Sequence, residues 1–264
     1  MSQVEAKFAE NKAAGKDTLI GYFPLGFPTL RESVEAAVAM AQGGVDILEL
    51  GVPYSDPVMD GPVIQEATET ALANGFKLRQ TFEAVREVSE RTGIPVLVMT
   101  YWNPVMQFGV QDFARSLKEA GGAGMITPDL IPDEASEWLA AAEEHDLDRV
   151  FLAAPTSPTQ RVQNAAELSR GFVYAVSTMG ITGARDEVDS LARGVVSAVR
   201  ETDVEANVAV GIGISTGEQA TAVNEYADGA IIGSVFVKAY SQGGLLELKR
   251  TVAEIESKMN KGHK

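Results

Sequence analysis

The chain has 264 residues, 45% of them hydrophobic, with no Cys, two His and a formal net charge of −15. That length suits either two small domains or one large α/β barrel, which typically needs about 250 residues, and the hydrophobic share supports a sizeable core. The acidic balance without a Lys/Arg cluster excludes nucleic-acid binding, the lack of any run of about 18 apolar residues excludes a membrane span, and zero Cys excludes disulfides and thiolate metal sites, in keeping with a cytoplasmic location.

From the N-terminus, Met1-Ser-Gln-Val-Glu-Ala-Lys lacks the apolar core of a secretory signal. A helix over Val4–Ala14 is predicted ahead of the first strand, where it would cap a barrel bottom. Eight short apolar runs then read as strands: Thr18–Tyr22, Ile47–Leu50, Val96–Thr100, Gly124–Ile126, Val150–Ala153, Phe172–Val176, Val208–Gly211 and Gly229–Ile232. Helical patterns separate them, including Leu30–Gln42, Thr81–Arg91, Val110–Ala120, Asp133–Glu144, Gln160–Ser169, Glu187–Glu201 and Gly217–Glu225, with Leu245–Met259 last. Val110, Phe113, Leu117 and Ala120 mark one buried helix face, and Pro132 followed by acids is a readable helix start. Strands alternating with helices predict a parallel sheet closed into a (β/α)8 TIM barrel. No Pro/Ser-rich linker or charge block divides the chain, so a single domain over 1–264 is expected, an N-terminal helix over 1–16 and the barrel over 17–260. The rival, an open doubly wound sheet, lacks a G-x-G-x-x-G turn after its first strand.

The second strand carries the most informative feature. Glu49 is embedded in Val45-Asp-Ile-Leu-Glu-Leu, a run that reads as buried on both faces. A carboxylate there is unfavourable unless it is paired, protonated or used in chemistry. The loop that follows is dense in turn formers, from Gly51 through Pro53, Ser55, Asp56 and Pro57 to Gly61 and Pro62, and carries a second acid, Asp60. Barrel active sites lie at the C-terminal strand ends, which places both acids on the catalytic side as a plausible acid/base pair. Read alone, Glu49 could instead be a structural ion-pair member and Asp60 a turn residue. The two His residues, His145 in a polar helix-like stretch and His263 in the tail, have no neighbouring ligand pattern, so neither a metal site nor a Ser-His triad is expected. Trp138 reads as a packing residue.

Three Gly-rich turns follow the sixth, seventh and eighth strands: Ser177-Thr-Met-Gly-Ile-Thr-Gly183, Gly211-Ile-Gly-Ile-Ser215 and Ile232-Gly-Ser234. Glycine lets backbone N–H groups approach an anion, and Ser or Thr adds a hydroxyl donor. Together with a short helix over Val235–Tyr240 they suggest a phosphomonoester site. No Walker pattern points to a nucleoside triphosphate.

With these residues in place, the sequence resembles the tryptophan synthase α-subunit family. The stretch Leu48-Glu-Leu-Gly-Val-Pro-Tyr-Ser-Asp-Pro-Val-Met-Asp-Gly-Pro-Val-Ile-Gln65 is similar to the family signature nearly position for position, supported by Tyr174 through Gly183, Gly211–Ser215 and Gly233-Ser234. The resemblance covers about 15 to 260. It implies a (β/α)8 barrel, a lyase that cleaves indole-3-glycerol phosphate to indole and glyceraldehyde 3-phosphate, and Glu49 and Asp60 as its catalytic acid/base residues. It further implies that Gly183, Gly213, Gly233 and Ser234 cradle the phosphate, and that Tyr22, Tyr174, Ile212 and Leu97–Thr100, with Thr100 at the end, line the indole pocket. Thr182 would orient Asp60 when the loop around Thr178–Glu187 closes. Tyr54, Ser55, Asp56 and Pro57, with Trp102, Asn103 and Pro104, would face a β subunit in an α2β2 complex. Indole would pass to that partner, which would hold pyridoxal phosphate; this chain itself would need no cofactor and no metal.

The sequence departs from the family pattern at Pro24, where Thr is more usual, at Met59 beside Asp60, at Thr178-Met179 and at Trp102. None removes a catalytic group. Two other function classes fit a barrel with a phosphate end: a sugar-phosphate isomerase, and a catalytically weak subunit that mainly activates the β partner.

Overall fold

Runs of apolar residues without polar alternation become strands covered on both faces. The computed structural model describes residues 1–176, 185–211 and 213–259, with the backbone alone described for 185–188. In chain order, α1 (Gln3–Ala13) precedes β1 (Leu19–Pro24), α2 (Leu30–Gln42), β2 (Ile47–Gly51), α3 (Pro62–Ala73), α4 (Gln80–Thr92), β3 (Val96–Met99), α5 (Trp102–Phe108), α6 (Val110–Glu119) and β4 (Gly124–Ile126). There follow a 3-10 turn (Pro132–Glu134), α7 (Ser136–Glu144), β5 (Asp148–Val150), β6 (Leu152–Ala153), α8 (Thr159–Leu168), β7 (Val173–Val176), α9 (Arg185–Arg200), β8 (Val208–Gly211), α10 (Gly217–Asn224), β9 (Gly229–Ile232) and α11 (Ser234–Met259).

Among the described residues nine strands pair in parallel in the order β5-β4-β3-β2-β1-β9-β8-β7-β6. The two ends of that series, β5 and β6, are consecutive in the chain, so the sheet curls into a barrel of eight structural strands. The predicted strand Val150–Ala153 is thus one strand that changes neighbour: β5 pairs with β4, β6 with β7, and Phe151 lies between them. The (β/α)8 barrel expected from the alternating pattern is the observed architecture.

Two apolar layers hold it together. Inside the barrel, Ile20, Ile47, Leu97, Ile126, Val150, Ala209 and Ile231 pack with Phe172, and Val4 and Phe8 of α1 join them. Phe8 meets Phe172 edge-on, centroids 5.9 Å apart, so α1 closes the barrel bottom as predicted. Ser2 caps α1 with a capping box completed by Glu5. Between strands and helices a larger layer includes Leu48, Leu50, Val96 and Val98 with Val34, Ala37, Val85 and Val88. Trp138 is fully buried there, as its packing role requires.

The differences from the sequence reading have local causes. The first strand extends to Pro24, because pairing with β9 ends at Gly21 and the missing proline N–H breaks no ladder bond on that side. Two helices are additional, α3 and α5. The first starts at Pro62, which suits the first helical position, inside a loop whose Gly/Pro density masks it. The predicted helix Asp133–Glu144 is interrupted at Ala135, leaving a 3-10 turn and then α7. The last two predicted helices abut as α11, broken at Gly243 and Gly244, where Gly244 has φ 63°.

Candidate active site

Strand geometry puts Glu49 in the barrel mouth. Side chains alternate along a strand, so Glu49 shares the interior face with Ile47, one layer nearer the C-terminal end. Parallel pairing sets it beside Tyr22 on β1 and Leu97 on β3. Glu49 is 1% exposed, and its Oε2 has no hydrogen-bond partner among the described residues. Burial, and then the charge of Asp60, push its carboxyl up to about 8.

Asp60 reaches the same mouth from the loop after β2. Its backbone is fixed at both ends: its N–H donates to Pro57 O at 3.0 Å, and its carbonyl accepts from Gln65 Nε2 at 2.8 Å. Burial pushes its carboxyl up to about 6, opposed by a hydrogen bond from the Tyr101 hydroxyl. The same hydroxyl accepts from Met59 N–H at 3.0 Å, so Met59 contributes its backbone to the setting of this loop. Tyr101 is buried, and its phenol is raised by burial and by the Asp60 charge. The residues expected from the sequence end at Thr100 and resume at Trp102; the neighbour that contacts Asp60 is the residue between them, Tyr101. Its position just beyond a strand's C-terminal end was the available signal. Thr100 itself is buried, with its Oγ1 donating to Tyr101 O at 3.2 Å.

The phenols of Tyr22 and Tyr174 are raised by burial and by the charges of Asp60 and Glu49. The two acids and three tyrosines therefore share one low-dielectric pocket. Glycine makes room for two of the phenols: a Cβ on Gly51 would overlap the hydroxyl end of Tyr22, and one on Gly211 that of Tyr174. Gly51→Ala is accordingly expected to displace Tyr22 and destabilise the fold by about 1–3 kcal/mol, measured by denaturant unfolding; an unchanged midpoint would contradict the packing.

The two acids titrate as a pair. When Asp60 ionises near pH 6, Glu49 is still neutral, so the mutual repulsion appears on the second deprotonation, that of Glu49. Between about 6 and about 8 the pair holds one proton, on Glu49. Such a pocket can deliver a proton from Glu49 to a substrate atom while Asp60 stays anionic.

Part of the glycine turns expected to hold a phosphate lies beside the same pocket. A Cβ on Gly233 would stand 3.1 Å from Tyr22 Cβ, and Ser234 opens α11, whose first N–H groups have no partner inside the helix. Gly213 adopts φ 81° with open space around it. Thr182, Gly183 and Ile212, like Thr178-Met179, lie outside the described residues.

On the outer rim, Asn103 Nδ2 donates to Tyr54 Oη at 3.3 Å, and the Tyr54 ring stacks on Tyr101 at 5.2 Å. Ser55 and Asp56 are exposed, as is Val58 at 79%, a large fraction for an apolar side chain on a tight loop. A cleft of about 330 Å³, lined by Val52, Pro53, Leu72, Phe76, Lys77, Leu78, Pro104, Gln107 and Phe108, opens on this side. Among the described residues no group of three or more His, Asp or Glu could hold a metal ion, and no helix is long and apolar enough to cross a membrane.

Comparison with known proteins agrees with this geometry. A family profile described as Tryptophan synthase alpha chain matches residues 8–264. The tryptophan synthase alpha chain of Leifsonia xyli subsp. xyli is 58% identical over 255 residues, covering 97% of each chain, and that of Mycobacterium bovis is 49% identical over 261 residues, 99% and 96%. A solved structure of Mycobacterium tuberculosis tryptophan synthase superposes with a TM-score of 0.93 at 48% identity over 99% of both chains. The Legionella pneumophila alpha subunit gives 0.88 at 30% identity, covering 98% of this chain and 99% of its own. A match that spans the barrel, the two acids and the glycine turns assigns this chain to the tryptophan synthase alpha chain family.

Proposed function

We propose that Glu49 and Asp60 carry the proton transfers by which this alpha chain, a carbon–carbon lyase, cleaves indole-3-glycerol phosphate to indole and glyceraldehyde 3-phosphate. The observation that carries the assignment of roles is Glu49, buried with its Oε2 unpartnered among the described residues, where burial and then the Asp60 charge push its carboxyl up to about 8.

The bond broken joins indole C3 to the glycerol side chain. C3 is a poor carbanion, so it must be protonated before the bond breaks. Neutral Glu49 donates that proton, and the ring becomes a cationic indolenine. Anionic Asp60 stabilises the positive charge by taking the indole N–H proton, and returns it to nitrogen as the ring takes up the electron pair of the breaking C–C bond. Glu49, now a carboxylate, removes the proton from the side-chain hydroxyl as the C–C bond breaks, which releases the aldehyde and restores neutral Glu49. Tyr22, Tyr174 and Thr100, with Ile212, line the indole side in this reading, and Thr182 orients Asp60. Gly183, Gly213, Gly233 and Ser234 hold the phosphate, anchoring the remote end so that binding energy positions the reacting bond. These steps use proton transfers alone and call on no organic cofactor or metal in this chain.

The β-subunit partner of an α2β2 complex, where pyridoxal phosphate would reside, docks on the rim formed by Tyr54, Ser55, Asp56, Pro57, Asn103 and Pro104. Exposed Val58 and the adjoining apolar cleft support that placement. The chain works as one domain in the cytoplasm. A sugar-phosphate isomerase reading gains nothing from the comparisons, where the named relatives are tryptophan synthase alpha chains. A merely activating subunit would have no need of a proton stored on Glu49.

The test is the pH dependence of indole release, measured with and without a β chain. kcat/KM is expected to be bell-shaped, falling below about 6 as Asp60 protonates and above about 8 as Glu49 ionises. A flat profile across that range would exclude this pair as the acid and base.

A further inference from the structure

We infer that Asp129, on the loop after β4, is a positioning residue for Asp60, acting through Tyr101. This rests on the role of Asp60 proposed above. Tyr101 is the residue before α5, and it caps that helix with no side-chain hydrogen bond of its own. The first helical N–H, that of Trp102, is taken instead by Asp129 Oδ1 at 2.9 Å. This ties the backbone that carries Tyr101 to the neighbouring strand's loop. The Tyr101 ring is then clamped by the Tyr54 stack, and its hydroxyl meets both Met59 N–H and the Asp60 carboxylate. A continuous set of contacts thus runs from Asp129 through Trp102 N–H and Tyr101 to the loop that presents Asp60. The Asp129 carboxylate is exposed at the rim and its Trp102 contact needs only an acceptor, so its part is geometric.

A shift of Tyr101 would move Asp60 away from the atom it serves, and misplacement by about 1 Å can lower turnover by as much as about 10²-fold. The experiment measures indole release by the full chain in complex with its β partner for Asp129→Ala, Asp129→Asn, Tyr101→Phe and the double variant. Asp129→Ala is expected to lower kcat about tenfold with KM little changed, since the phosphate anchor is untouched. Asp129→Asn, which keeps an Oδ1 acceptor, is expected to recover kcat to within about twofold of the parent chain. Tyr101→Phe with Asp129→Ala should be no slower than Tyr101→Phe alone, because the two act along one path.

Unchanged kcat in Asp129→Ala, equal impairment of the Asn and Ala variants, or additive losses would overturn the inference. Asp129→Ser, too short to reach Trp102 N–H, replaces Asp129→Ala if that chain does not fold; failure of both to fold would make Asp129 a stability residue and overturn it as well. Asp60→Asn separates the two readings: if it is impaired while Asp129→Ala is not, only this inference falls, and if it is normal, the role of Asp60 falls first.

Discussion

Glu49→Gln should abolish indole release, a loss of at least about 10³-fold in kcat, while indole-3-glycerol phosphate still binds. Gln keeps the shape of Glu but cannot donate and then take back a proton, and Glu49 is asked for both steps. Binding is retained because the phosphate contacts lie at the other end of the substrate. The same variant has a stability signature. The Glu49 carboxyl rises from an ordinary 4.5 to about 8 on folding. Its neutral form is therefore favoured in the native state, and the stability tied to it is complete below pH 4.5 and lost progressively as pH rises to about 8. Gln has no such loss. Glu49→Gln should therefore be more stable than the parent at pH 7, by on the order of 3 kcal/mol, and the difference should vanish at acidic pH. Near-normal turnover, or a variant less stable than the parent at pH 7, would remove Glu49 from the role given to it.

Asp60→Asn carries the second large effect. A neutral amide can neither offset the positive charge on the protonated indole ring nor accept the indole N–H proton. A loss of about 10²-fold or more in kcat is expected. Removing the Asp60 charge also removes the second cause of the raised Glu49 carboxyl, so any residual activity should lose its alkaline limb at lower pH than in the parent. Burial, the larger cause, keeps Glu49 above its ordinary value. An effect confined to KM would instead make Asp60 a binding residue.

The legible part of this site was the part written into one segment. Glu49 stood out because an acid in an apolar run has few neutral explanations, and its place near the C-terminal end of a barrel strand put it on the catalytic side. Asp60 followed from its loop. The glycine turns at the ends of the later strands were likewise local, and Gly233 does lie against Tyr22. What could not be read was contact between segments. The Tyr101 hydroxyl meets Asp60 and Met59 across a long stretch of chain, and nothing in Thr-Tyr-Trp marks Tyr101 apart from its place after a strand. Nothing local marks Asp129 either, because its contact with Trp102 N–H also joins separate segments. The change of neighbour at Phe151 is a property of barrel closure, invisible to hydropathy, because β5 and β6 are both simply part of one strand. Helix α3 was hidden for a different reason: its proline start sits among the turn formers that announced the catalytic loop.

The central claim is that Glu49 stores a proton at neutral pH. Its most direct test is a carbon-13 NMR titration of the Glu49 carboxyl in the intact chain, assigned by difference from Glu49→Gln. A titration near 8, moving downward in Asp60→Asn, is the expected result. A titration near 4.5 in the parent would mean that Glu49 is ionised throughout the working range and has no proton to give.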